Sequence, residues 1–499
     1  MNDALSTSEI KEHSVAGAKW LFITNTLNIP AAFLMAFFLG RTSSEALGAF
    51  GLVQVFMAVI TTFVVFGGQA VLRNFMAKVT DPAFRGKLFL SYTLIIIGLM
   101  ILMFSLFTFF PGLLEFFLRR EVSVSAYLFF FFFSAIVIAF ELFSSTIAGI
   151  MNIKISAIAQ SATRLIPLPL VIFFFFLYRP FLEENAWPLI LGFYLFSFTT
   201  GTLISLTALL REKRFKFKAG TYLPSGFMPF CLTTHFASVF SFFYNDVDRI
   251  FMLQLGEMGG LGMYQAVISI TRFIDFTPRI LATALVPMFS SLLAAKNQKA
   301  LKRAYDTIQR YSVITIITLS LLTISFSREL LGIFGQEYRE YYYILSLFGL
   351  TGAMCSLFLG NTTILTSYEK NAFRLGVSTF QILIQLTGTF IFISSYGVLA
   401  VAGFKALGRV SANVINISYI LKMPLGIKIP RVYLAGILIC SLCFAAKTFF
   451  LPPVFILSGV LFILCLLLFV WCGKISFRDV SELIQIFSKR KQRPTQEMV

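Results

Sequence analysis

Five cationic side chains lie inside apolar stretches in the second half of this chain, namely Arg249, Arg272, Arg279, Lys405 and Arg409. A charged group at the depth of a membrane centre costs about 2.5–3.5 kcal/mol, so it is rarely kept without a cavity or a partner. If the surrounding stretches span a membrane, these five residues predict the binding of an anionic group between the spans.

The composition of the chain is that of a membrane protein. Of its 499 residues, 58% are hydrophobic and 13% are charged, whereas soluble proteins have about 25% charged residues. A net charge of +18 would indicate nucleic-acid binding in a soluble chain. Here the basic residues cluster in short loops between apolar runs, as the positive-inside rule requires. We therefore predict an all-α polytopic membrane protein with no nucleic-acid partner.

A membrane-spanning helix needs about 20 mostly apolar residues. Lysines and arginines are frequent in every second connecting loop and rare in the others. This distribution predicts an even number of spans with both termini in the cytoplasm. Apolar runs predict about fourteen transmembrane helices, near residues 15–39, 46–70, 88–110, 124–150, 158–178, 188–210, 227–253, 262–291, 311–334, 341–366, 374–394, 397–420, 432–450 and 453–473.

A repeated pattern predicts an internal duplication. Leu39-Gly40 and Leu47-Gly48 precede a long apolar run, and Leu255-Gly256 and Leu261-Gly262 precede a similar one. Chance is the alternative, because such pairs are common in membrane helices. Duplication predicts two pseudo-symmetric six-helix lobes, with a transport site at the interface between the repeats.

The predicted organisation follows from these spans and the repeat. A cytoplasmic segment and a first lobe are followed by a basic linker, a second lobe, two further helices and a basic tail. In order, these parts are residues 1–14, 15–210 (spans 1–6), 211–226, 227–421 (spans 7–12), 432–473 (spans 13 and 14) and 474–499.

Two predicted helices carry narrow polar stripes. At 100° per residue, Gln265, Arg272, Asp275 and Arg279 share one face of span 8, and Lys405 and Arg409 share one face of span 12. Lipid does not accept such stripes, so we expect them to line a cavity. The alternative is that the acidic residues only neutralise their neighbours, as Asp275 can for both arginines of its stripe. At the end of span 7 the same alternative applies to Asp246 and Asp248 beside Arg249.

Glu141 stands alone in an apolar helix of the first half. It is a candidate site for proton or Na⁺ coupling, and a carboxyl kept neutral by burial is the alternative. Asn25 and Asn28 of span 1 are polar cavity candidates, although membrane asparagines often bond a neighbouring helix. With only two histidines in the chain, we predict no catalytic residues, no metal site and no cofactor.

Several short stretches resemble one known family across most of residues 15–420. The matching segments are Phe38-Leu39-Gly40-Arg41, the run from Leu47-Gly48 to Leu52, the run from Asn245 to Ile250, Leu285-Val286-Pro287-Met288-Phe289 and Tyr396-Gly397-Val398. Together these segments are similar to the polysaccharide transporters, the O-antigen (lipid-linked oligosaccharide) flippases of the multidrug/oligosaccharidyl-lipid/polysaccharide exporter superfamily.

The resemblance implies a flippase rather than an enzyme. It would carry an undecaprenyl-diphosphate-linked oligosaccharide across the bacterial inner membrane by alternating access, with a cationic lumen that binds the diphosphate. The implied partners are this lipid-linked substrate, the membrane lipids and other polysaccharide-assembly proteins. Peptidoglycan-precursor flipping and multidrug efflux on the same fold are the alternatives, because a fold does not fix the cargo.

Overall fold

The computed structural model describes residues 7–112, 115, 124–150, 152–294, 297–368, 370–423, 426–450 and 455–473. This part of the chain is almost entirely helical and contains no strand. The predicted all-α class is therefore confirmed. The predicted basic tail, residues 474–499, lies outside the described residues.

The first half of the chain forms short and long helices. Their bounds are Thr7–Thr42 (α1), Ser44–Val59 (α2), Gly68–Lys78 (α3), Pro82–Phe109 (α4), Val124–Gly149 (α5), Ile153–Leu165 (α6), Pro167–Leu177 (α7), Arg179–Glu184 (α8), Ala186–Arg211 (α9) and Phe227–Asn245 (α10).

The second half begins with the longest helical stretch. The bounds are Val247–Ala294 (α11), Gln298–Ser325 (α12), Ser327–Gly332 (α13), Tyr342–Met354 (α14), Phe358–Ser367 (α15), Asn371–Tyr396 (α16), Val398–Leu421 (α17), Arg431–Ala445 (α18) and Phe455–Gly473 (α19).

The chain divides into two compact units. The first unit contains residues 1–269, 333–338 and 385–401, and the second contains residues 270–332, 339–384 and 402–499. The predicted lobe boundaries remain a prediction, and each unit is described by itself.

In the described part, eleven helical segments are long and apolar enough to span a membrane. They coincide with eleven of the predicted spans, including the fifth, which divides into α6 and α7 just before Pro167. The first predicted span lies within α1 and the eighth within α11. The tenth, near residues 341–366, is two shorter helices, α14 and α15, separated at residues 355–357.

The helical stretch α11 folds back on itself. Tyr264 Oη donates a hydrogen bond to Asp248 Oδ2 at 2.5 Å, although the two residues are 16 positions apart. In a straight helix that separation would be about 24 Å. The chain therefore reverses between these residues, where the sequence predicted a loop, and the turn is held by a hydrogen bond between two fully buried side chains.

The second span of the first unit is interrupted. Helix α2 gives way to a π-helical turn at Ile60–Val64, and α3 begins at Gly68, directly after Gly67. Both glycines have positive φ, 77° and 67°, which side chains with a Cβ atom rarely adopt. The Phe66 carbonyl at this break accepts a hydrogen bond from Tyr92 Oη at 2.6 Å. A side chain of α4 thus replaces the missing helical donor.

At the break between α14 and α15 in the second unit, backbone carbonyl groups also accept hydrogen bonds from side chains of other helices. The Met354 carbonyl accepts hydrogen bonds from Asn413 Nδ2 at 2.8 Å and Tyr433 Oη at 2.7 Å. Gln309 Nε2 donates to the Leu357 carbonyl at 3.1 Å. Apolar side chains of α12, α14, α18 and α19 pack around this region to form the core of the unit.

The basic segment after α9 is anchored on α4. Arg85 Nη1 donates to the Arg214 carbonyl at 2.9 Å, and a Cβ atom at Gly86 would lie 1.9 Å from the Lys216 carbonyl oxygen. Arg214 Nε in turn donates to Glu212 Oε1 at 2.9 Å. This hydrogen bond from a cation holds the pKa of Glu212 below its usual value.

Helices α2 and α11 meet at the glycines of the repeated pattern. A Cβ atom on Gly48 would lie 1.9 Å from the Met258 carbonyl oxygen, and one on Gly262 would lie 1.8 Å from that of Ser44. Each glycine thus faces the carbonyl four residues before the other glycine. This reciprocal contact relates the two copies of the pattern by an approximate two-fold axis and supports the predicted duplication.

We expect Gly262→Ala to destabilise the protein by about 1–3 kcal/mol, because the added methyl group forces two backbones apart. Gly260→Ala is the matched control, since a Cβ atom there meets nothing within 4 Å and alanine favours a helix. The melting temperatures of the purified variants in detergent compare the two. Equal melting temperatures would contradict the close backbone contact.

Candidate functional site

Glu141 lies on α5 and contacts α3 through a chain of side chains. Gln69 Nε2 donates to Glu141 Oε2 at 2.5 Å, and Arg73 Nη2 donates to Gln69 Oε1. The glutamine amide thus links the carboxyl group to a guanidinium four residues further along α3. Glu141 is therefore the end of a polar relay rather than an isolated group.

Glu141 and Asp246 line one cavity of about 340 Å³ in the first unit. This volume is in the range of small-molecule sites, about 300–1,000 Å³. The wall includes the interrupted segment between α2 and α3, and irregular backbone at membrane depth is tolerated where it lines a cavity. The full lining is Ala58, Thr61, Thr62, Val65, Gly68, Gln69, Glu141, Ser238, Ser241, Phe242 and Asp246.

Asp246 and Arg249 form an ion pair at the start of α11. Arg249 Nη1 donates to Asp246 Oδ1 at 2.9 Å, and the Arg249 side chain is 5% exposed. The next acidic residue, Asp248, accepts the hydrogen bond from Tyr264. The structure therefore places both acidic residues of this stretch in contacts that hold the turn of α11 and its junction with α10.

Two predicted polar residues are buried with unpaired amide atoms. Both amide atoms of Gln265 and the Asn28 Oδ1 have no hydrogen-bond partner among the described residues. Because buried polar groups are nearly always paired, these atoms indicate places where a polar ligand or a second conformation is needed.

The other predicted site cations whose side chains are described, Lys405, Arg409 and Arg272, belong to the second unit. Lys405 is 8% exposed, and Arg409 lies one turn further along α17, half-buried. Arg272 is half-buried on the part of α11 in the same unit. The predicted side chains of Asn25, Asp275 and Arg279 lie outside the described residues.

Sequence reasoning missed Gln69, Arg73 and the hydroxyl groups of the cavity. Arg73 lies beyond the end of the predicted second span, residues 46–70, whereas the Gly67-Gly68 pair that breaks this span lies within it. That glycine pair, followed at once by a glutamine, was the available signal. Among the described residues no group of three His, Cys, Asp or Glu side chains can hold a metal ion.

Solved membrane-protein structures share this fold at low sequence identity. The lipid II flippase MurJ in an inward closed conformation has a TM-score of 0.64 at 12% identity, over 94% of this chain and 100% of that one. An inward-facing multidrug resistance MATE family transporter of the MOP superfamily has a TM-score of 0.60 at 13% identity, over 87% of this chain and 99% of that one. A MOP superfamily transporter from Pyrococcus furiosus has a TM-score of 0.51 at 15% identity, over 81% of this chain and 93% of that one. The chain thus has the fold of the MOP superfamily.

Two models of protein families match the sequence of this chain. The model described as "Polysaccharide biosynthesis protein" matches residues 14–293, more than half of the chain, and the MatE model matches residues 234–391. The chain therefore belongs to the polysaccharide biosynthesis protein family, and the resemblance found in the sequence is confirmed. A search of curated protein sequences found no match.

We expect Arg249→Met to lower the free energy of unfolding by about 1–3 kcal/mol, because it leaves the half-buried Asp246 carboxylate without its cation. The double variant Asp246→Asn, Arg249→Met should recover part of this loss. Melting temperatures in detergent measure both, with the exposed Arg211→Met as the control. A wild-type melting temperature for Arg249→Met would show that the pair does not stabilise the fold.

Proposed function

We propose that this protein flips an undecaprenyl-diphosphate-linked oligosaccharide, an O-antigen or similar polysaccharide repeat unit, across the bacterial inner membrane. The observation that carries the proposal is Lys405, a cation 8% exposed within a membrane-spanning helix, with Arg409 one turn away. Keeping such charges in a bilayer is costly unless they serve an anionic cargo or a partner. A diphosphate suits them, because guanidinium groups bind phosphate oxygens in a bidentate manner.

The family description supports a cargo used in polysaccharide biosynthesis. The similarity to a lipid II flippase supports a lipid-linked one, although at 12% identity it establishes only the fold. Transport of a peptidoglycan precursor and multidrug efflux are the alternatives on this fold. Efflux of organic cations is disfavoured, because the carboxyl groups of the described cavity already have partners, Arg249 for Asp246 and Gln69 for Glu141, and the second unit carries the cations Arg272, Lys405 and Arg409 instead.

The mechanism proposed is alternating access, without a covalent step or a cofactor. Both termini would be cytoplasmic, which places Gly48 and Gly262 near the periplasmic ends of their helices. The close contact at these glycines would then separate when the protein opens outward. Other polysaccharide-assembly proteins are the proposed partners, together with the membrane lipids.

Energy coupling is a separate proposal, in which Glu141 takes up H⁺ or contributes to a Na⁺ site during the cycle. Gln69 and Arg73 support it, because the relay on α3 would be rearranged whenever Glu141 gained or lost a charge. Passage of the substrate down its own gradient is the alternative.

We expect Arg272→Ala and Arg409→Ala each to abolish surface glycan while lipid-linked oligosaccharide accumulates on the cytoplasmic side. Cells that carry each variant are assayed for surface glycan, with the amount of protein in the membrane as a check. Arg211→Ala removes an exposed arginine at the end of α9 and should export normally. Normal export by both variants would show that the cations are structural and that the cargo is neutral or cationic.

Glu141→Gln tests the coupling proposal. The substituted amide retains an oxygen that can accept the hydrogen bond from Gln69, but it cannot exchange a proton. We expect surface glycan to fall to near background, whereas Glu45→Gln, an exposed residue in the first turn of α2, should have no effect. Undiminished export by Glu141→Gln would remove the coupling proposal and leave the flippase proposal intact.

A further inference from the structure

The cavity of the first unit is rich in hydrogen-bond acceptors. Thr61 Oγ1 donates to the Met57 carbonyl at 2.9 Å, and Ser238 Oγ donates to the Thr234 carbonyl at 3.0 Å. Their protons are therefore used within the helices, while their oxygen lone pairs remain available. Glu141 and Asp246 add carboxylate oxygens. A ligand of this cavity must consequently bring hydrogen-bond donors of its own.

One buried hydroxyl group points to the same conclusion. Thr62 lines the cavity and is only 9% exposed, so its hydroxyl has little access to water outside the cavity. A nearly buried hydroxyl loses free energy when it is unpaired. A polyhydroxylated ligand would supply both a donor and an acceptor at this position.

The charges of the cavity are already compensated. Asp246 is paired with Arg249, and Glu141 is linked to Arg73 through Gln69. An organic cation would gain little from the Asp246 carboxylate, because Arg249 already pairs with it. A diphosphate would need cations in the wall, but no lysine or arginine of the described residues lines the cavity. A neutral polar ligand is favoured over either ion.

The apolar part of the lining suits a sugar. Phe242 and Val65 line the same space as the hydroxyl and carboxylate groups, and Phe242 is fixed by edge contact with Phe63 at 5.4 Å between ring centroids. A pyranose ring has apolar C–H faces and a rim of hydroxyl groups, which matches a wall with both characters. We propose that this cavity binds a sugar residue of the transported glycan, separately from the cations that bind the diphosphate.

This inference rests on the proposed function and can be tested on the full-length protein in nanodiscs. Two probes are compared by native mass spectrometry: sugar-free undecaprenyl diphosphate, and lipid-linked oligosaccharide extracted from cells of the protein's own source. Thr61→Phe fills the cavity. Thr207→Phe is the matched control, because Thr207 also donates to carbonyls three and four residues earlier on its helix but is exposed outside the cavity.

We expect the wild type to bind the oligosaccharide lipid more tightly than the sugar-free lipid. Thr61→Phe should weaken binding of the oligosaccharide lipid by about tenfold, the equivalent of one or two lost hydrogen bonds. Its affinity for undecaprenyl diphosphate should not change, which also shows that the variant is folded. Thr207→Phe should leave both affinities unchanged. If Thr61→Phe does not fold, Ser238→Phe fills the same cavity from α10.

Three results would overturn the inference. Unchanged binding of both lipids by Thr61→Phe and Ser238→Phe would show that the glycan lies elsewhere, while the flippase proposal would stand. An equal loss for both lipids would show that the cavity serves the shared diphosphate part. Failure of the wild type to bind either lipid would refute the proposed function itself and the sugar site with it.

Discussion

The need to pair every backbone polar group inside a membrane governs the structure around two of its helix breaks, one in each unit. An unpaired carbonyl in hydrocarbon costs several kcal/mol, so a spanning helix can be interrupted only where other groups replace its hydrogen bonds. Tyr92 does this for the Phe66 carbonyl in the first unit. In the second unit, Tyr433 and Asn413 do it for the Met354 carbonyl. Each break therefore depends on a buried side chain from another helix.

The same constraint applies to charge. In the first unit the Glu141 carboxyl group reaches a cation through Gln69. In the second unit Lys447 and Glu329 are connected in a similar manner, because Lys447 Nζ donates to Ser458 Oγ, and that hydroxyl donates to Glu329 Oε1 at 2.8 Å. A neutral side chain placed between two charges keeps both solvated while it fixes their positions.

Hydropathy was sufficient to predict the eleven segments of the described residues that are long and apolar enough to span a membrane, because a bilayer imposes a length and an apolar composition on any helix that crosses it. It did not predict the breaks after Val64 and at residues 355–357. Both lie in apolar stretches, and the side chains that bond the carbonyl groups at the breaks, such as Tyr92 and Tyr433, come from other helices. A pattern read along one helix contains no information about such partners. The same reasoning explains why Glu141 was found as a lone charge but its relay was not.

The reciprocal contact of Gly48 and Gly262 gives a physical reason why a glycine occurs in both copies of the repeated pattern. When two copies of one helix cross about a two-fold axis, each residue at the crossing meets the equivalent position of the other helix. A glycine selected for close approach in one copy is therefore required in both. Here each glycine admits the carbonyl oxygen four residues before the other, Met258 and Ser44 respectively. A chance pair of Leu-Gly sequences would have no reason to meet in this reciprocal manner, so the contact favours duplication over coincidence.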